Sequence, residues 1–193
     1  MKEKWDNTTL WNEAGKGALF LGGLSVLCLS LRELSTASGS NFLISAARVI
    51  LWVVEFFGCI LLMKRFMLDF RDKYAGVKMS DTAILGRRMG LLSGLLLASA
   101  QVLFVLRMPE GQMNEMVSQL SAALPMTAAD QEYVESLLPR LPLYTFLIQW
   151  LYCYLYGSVL ASILSRYIFM KAVLGTQFRE FGKDPEEDQP DEQ

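Results

Sequence analysis

Not one histidine occurs in the 193 residues of this chain. That removes the commonest general base and the commonest metal ligand. Cysteine is scarce too: Cys28, Cys59 and Cys153 stand far apart, each inside an apolar run. A thiol so placed reads as a small buried hydrophobe, not as a metal ligand or half of a disulfide. There is no glycine-rich phosphate loop and no basic tract interleaved with aromatics, so neither a cofactor nor a nucleic-acid partner is expected. The polar, mixed-charge opening of residues 1–16 has no small-residue cleavage site behind a short apolar core, which argues against a cleaved signal peptide. An intramembrane enzyme needs a nucleophile with its base, a carboxylate pair or a metal, and Glu55 is alone as a mid-span carboxylate. No catalytic or metal-binding residues are therefore assigned.

What the chain does have is long apolar runs. Hydrophobic residues make up 52% of it and the mean hydropathy is +0.28, while the 20% of charged residues gather between the runs. Four runs, over about residues 17–31, 42–63, 89–106 and 143–165, predict an all-α polytopic membrane protein, a bundle of four transmembrane helices. The first run is short for a bilayer that needs roughly 20 apolar residues, so its flanks must contribute. A soluble bundle would have to bury spans three and four on every face, for which a chain this size has too little interior. Residues 1–16 form an N-terminal arm, 17–166 the membrane domain, and 167–193 a tail whose acidic, proline-containing end predicts disorder after about residue 182.

Orientation follows from Lys and Arg. Three lie in the N-terminal arm, seven in the connector after span two and four in the C-terminal segment. The other side keeps only Arg32, Arg48, Arg107 and Arg140. This asymmetry predicts that both termini and the middle connector face the cytoplasm. The basic cluster over residues 64–78 is placed to meet anionic headgroups of the bilayer.

Span three carries Gly86, Gly90, Gly94 and Ala98 at every fourth position, and span four carries Cys153, Gly157, Ala161 and Ser165 at the same spacing. Such stripes let helix backbones approach closely in lipid, which predicts that spans three and four pack on each other. The outward connector, residues 107–142, holds two predicted short helices: one over Met113 to Leu124, stopped by Pro125, and one capped by Thr127 and ended by Pro139. Residues 35–41 have the composition of a tight turn, and Ser80-Asp81 that of a helix cap before span three.

Several short motifs resemble a known family. Trp11-Asn-Glu-Ala14 leading into Gly17 and Gly22, Phe70-Arg71-Asp72-Lys73-Tyr74-Ala-Gly76, the stretch from Ser80 through Gly90, and Phe104 followed by Pro109-Glu110 resemble, in order and spacing, the Bacteroidota membrane family catalogued as domain of unknown function 4199. Glu55 and the tyrosine-rich fourth span depart from that pattern. The resemblance covers about residues 11–170 and carries no catalytic residues over. It implies a Gram-negative inner membrane. Because members are encoded near an enzyme resembling polyprenyl-phosphate sugar synthases, it also suggests a membrane-associated glycosyltransferase as partner.

Two functional readings remain. The favoured one is a non-catalytic scaffold or partner subunit, serving such a glycosyltransferase. The other is a small transporter, channel or flippase component built on an intramembrane polar site around Glu55, with Arg48, Gln101, Gln149 and Tyr152. An ionised carboxylate facing lipid costs on the order of 2.5–3.5 kcal/mol, so Glu55 should face the bundle. Arg48 shares its helical face to within about 20° but lies roughly 10.5 Å along the axis. Span-four tyrosines are therefore the expected partners, either in a clasp of span two on span four or as walls of a cavity with Gln101, Gln149 and Tyr152. Oligomeric state is not legible.

Overall fold

The computed structural model describes residues 3–36, 41–107, 111, 118 and 136–181. Four long helices make up the fold: α1 (Asn7–Thr36), α2 (Asn41–Lys73), α3 (Met79–Arg107) and, after a 3-10 turn at Leu138–Arg140, α4 (Leu141–Phe181). Each contains a stretch long and apolar enough to cross a membrane. The two predicted connector helices between Met113 and Pro139 and the tail after Phe181 fall largely or wholly outside the described residues.

The helices overrun the apolar runs that announce them. α1 begins in the polar arm because Asp6 caps it: its carboxylate accepts the Thr9 N–H and the Thr9 hydroxyl, both at 2.7 Å. Those bonds hold the Asp6 carboxyl below the usual carboxylate range. α3 is capped at Lys78, whose N–H is received by the Asp81 carboxylate at 2.8 Å. Asp81 thus reaches back in the manner of a capping box, and Ser80 is not the cap. Between α2 and α3 the chain reverses through Gly76, whose φ of 69° only a residue without Cβ adopts freely. Pro139 sits in the 3-10 turn, whose Leu138 carbonyl receives the Leu141 N–H, and Pro142 occupies the first turn of α4.

α3 is the spine. It packs most extensively on α4, next on α1, while α2 leans mainly on α1. Along α3 and α4 the small residues meet in step. A Cβ added at Gly94 would strike Cys153, one at Gly90 the Gly157 Cα at 3.1 Å, and one at Gly86 Ala161. One turn further, the fully buried Thr82 and Ser165 hydroxyls share a hydrogen bond of 2.8 Å, and Ser165 also donates to the Met79 carbonyl at 2.6 Å. Ala98 is buried at the other end of this seam. The stripes therefore face each other, and the seam ends in a polar pair that satisfies itself, as a hydroxyl away from water requires.

The densest packing lies at the basic end of the bundle. Leu10, Ala14, Met67, Phe70, Leu85, Met89, Leu164 and Ile168 form one buried cluster there. The N-terminal segment is stitched onto it: the Glu3 N–H donates to the Lys73 carbonyl at 3.2 Å, and the Ala75 N–H to the Glu3 carbonyl at 2.9 Å. Glu13 receives Lys16, Lys73 and the Tyr74 hydroxyl. Arg88 lies over the Trp11 ring at 4.3 Å and donates to Asn7 at 2.8 Å. So the motif around Trp11 and Arg88, distant in sequence, form one joint between α1 and α3.

Candidate functional site

Away from the basic end the four helices separate around a cavity of about 320 Å³. All four contribute. Ser25 and Arg32 come from α1, and Trp52, Glu55, Phe56 and Cys59 from α2. α3 supplies Ser93 and Gln101, and α4 supplies Gln149, Tyr152, Cys153 and Tyr156. Met63 and Leu160 line it towards the packed half. A volume of this order is that of a small ligand site, and a few polar groups in an otherwise apolar and aromatic wall is the usual make-up of one.

The sequence-designated residues divide. Glu55, Gln101, Gln149 and Tyr152 all line this cavity. Arg48 does not; it is exposed on α2. The partner of Glu55 is Arg32, whose Nη2 donates to Oε2 at 2.6 Å. This corrects the expectation that a span-four tyrosine would hold the carboxyl. The clasp ties α2 to α1, not to α4. Its cause is helical register. Glu13 meets Tyr74, Ser25 meets Cys59 and Arg32 meets Glu55, pairs that step along the two helices centred near Leu43. That centre lies beyond residues 35–41, so α2 starts further out than a tight turn implies. Arg32 then stands opposite Glu55, and Arg48 lies past the end of α1.

The cavity wall between α2 and α4 is aromatic. Trp52 stacks on Phe56 at 5.5 Å, Phe56 approaches Tyr156 at 6.1 Å across the gap, and Tyr156 stacks on Tyr152 at 6.3 Å. α2 and α4 otherwise touch little. The Tyr156 hydroxyl is buried and has no hydrogen-bond partner among the described residues. Gln149 spends one N–H on Cys153 Sγ at 3.3 Å. The site therefore offers a fixed ion pair, carboxamides and a free phenol, enclosed by rings. It can bind a polar group by hydrogen bonds and charge. Among the described residues no three metal-ligating side chains converge.

Arg32, Ser25, Trp52, Phe56 and Ser93 were not singled out from sequence, whereas Tyr156 was among the span-four tyrosines expected near Glu55. A signal existed for Arg32: a lone carboxylate at mid-depth demands a cation, and only four basic residues lie on that side. Compared with family models, curated proteins and solved structures, the chain matches none.

Proposed function

We propose that this is a non-catalytic multi-pass protein of a bacterial inner membrane, both termini cytoplasmic, that holds an amphipathic molecule in the Glu55 cavity as a small transporter or flippase component. The observation that carries the reading is the convergence of Arg32–Glu55, Gln101, Gln149 and the Tyr156 hydroxyl, which has no partner among the described residues, on one cavity. Polar groups cost free energy inside a membrane unless they are paired or put to use. A headgroup that both donates and accepts hydrogen bonds would sit beside the ion pair, and an apolar tail would leave between the aromatic rings of α2 and α4.

Native mass spectrometry of the protein extracted in mild detergent tests this. Wild type is expected to carry a small amphipathic molecule, and Glu55→Gln to lose at least about 90% of it, about 1.4 kcal/mol of binding, while remaining folded. Equal occupancy in both proteins would remove the cavity as the binding site.

A second reading, the scaffold or partner subunit for a membrane-associated glycosyltransferase that uses a polyprenyl carrier, has its own support. Only 6% of the apolar window of α2 is buried, against 33% for α1. Val49, Val53, Phe57 and Leu61 on α2 face outward, where another protein's helix would find an apolar surface. Glu55→Gln leaves that surface untouched, so under this reading it would not disturb partner association.

A further inference from the structure

A groove of about 500 Å³ on the outer side of the bundle, distinct from the central cavity, is lined by Arg87 of α3 and by one face of α4. Arg87 and Arg166 mark its basic end, and both are exposed. Their neighbours are engaged: Arg65 with Asp69, Arg71 with Asp72, Lys73 with Glu13, Lys64 over the Tyr167 ring and Arg88 over Trp11. Arg87 and Arg166 form no ion pair among the described residues. Two guanidiniums with no ion pair among the described residues thus share one groove.

From Arg166 the groove follows α4 to Tyr154. Twelve residues of helix rise about 18 Å, close to the ~15 Å of hydrocarbon in one leaflet. Its floor alternates in kind. Leu155, Val159 and Ile163 are apolar, and beside them run Ser158 and Ser162. Ser162 donates to the Ser158 carbonyl at 2.9 Å, but the Ser158 Oγ is buried with no partner among the described residues.

The geometry points to a binding site for one acidic phospholipid in the leaflet at the basic end of the bundle. The phosphate lies between Arg87 and Arg166, whose planar forks suit phosphate oxygens. One acyl chain follows Leu155, Val159 and Ile163. A zwitterionic lipid brings its own cation to the phosphate and competes poorly; an acidic one leaves its charge for the protein. This site does not depend on what the central cavity holds.

The test uses the full-length protein in nanodiscs of phosphatidylcholine mixed equally with phosphatidylglycerol, with the lipid retained after detergent extraction counted by native mass spectrometry. Wild type is expected to keep phosphatidylglycerol in preference to phosphatidylcholine. The double variant Arg87→Gln, Arg166→Gln is expected to lose that preference by at least about tenfold, which corresponds to 1.4 kcal/mol. Arg65→Gln, equally exposed and basic but outside the groove, should behave as wild type. If the double variant keeps the preference, or if Arg65→Gln loses it to the same extent, the site is wrong and the attraction is only that of a basic surface.

Discussion

Gly157→Leu is expected to prevent α3 and α4 from assembling, whereas Gly23→Ala should leave the bundle intact or slightly more stable. A Cβ at Gly157 would lie 2.9 Å from the Cα of Gly90, and the obstacle is backbone. Neither helix can yield there without opening the seam that runs from Gly94–Cys153 to Thr82–Ser165. Even Gly157→Ala should cost about 1–3 kcal/mol, the range for overpacking a filled contact. At Gly23 nothing lies within 4 Å, so alanine adds only helix propensity, about 0.5–1 kcal/mol. Gly17 is a useful intermediate, because a Cβ there meets the flexible end of Met89 rather than backbone. Thermal unfolding in detergent, or steric-trap unfolding in bicelles, ranks the three. If Gly157→Ala proved as harmless as Gly23→Ala, the close approach of α3 and α4 would be contradicted.

Glu55→Leu is expected to be the most damaging single change in the cavity, costing roughly 3 kcal/mol. That is the lower end of the ~3–5 kcal/mol for breaking a buried pair, since the Glu55 and Arg32 side chains keep 19% and 31% of their exposure. The loss arises from the partner left behind. Without Glu55 the Arg32 guanidinium loses this counter-charge in the wall of an apolar cavity. Glu55→Gln still accepts the hydrogen bond and should cost about 1 kcal/mol, the usual worth of one such bond. The double change Arg32→Leu, Glu55→Leu removes both charges and should recover most of the stability lost by Glu55→Leu alone. The same unfolding assay reads all three. A double variant no better than Glu55→Leu would mean that the two residues do not form the pair described here.

Much of the architecture was legible because lipid is a simple solvent. Helices must satisfy their own backbone, so four apolar runs imply four helices, and small residues four apart imply a close seam. The pairing of the Gly86 stripe with the Gly157 stripe needed no long-range information beyond that. Helix ends were less legible. The apolar run stops at Met63, yet α2 continues to Lys73 because its last turns pack Met67 and Phe70 into the buried cluster. Hydropathy measures solvent, not packing. The site was half legible for a related reason. Glu55, Gln101, Gln149 and Tyr152 stood out as polar groups in apolar runs. The partner of Glu55 depended on how α1 and α2 slide past each other. A polar turn at residues 35–41 suggests a mirror centre there, and the observed centre near Leu43 shifts the residue opposite Glu55 by about ten positions, two for each residue the centre moves. That shift is what brings Arg32, not a tyrosine, to the carboxylate.

The three native cysteines give the most direct test of the central claim, that the bundle encloses an accessible polar cavity around Glu55. Cys59 and Cys153 line it, while Cys28 is 1% exposed and does not. A maleimide modifies only a thiol that it can reach, and a thiol sealed in a packed core is inert. Treatment of the bilayer-reconstituted protein with a small uncharged maleimide, followed by mass mapping, should find Cys59 and Cys153 modified and Cys28 spared. Modification of Cys28 as fast as the other two, or no reaction at any of the three, would contradict the cavity.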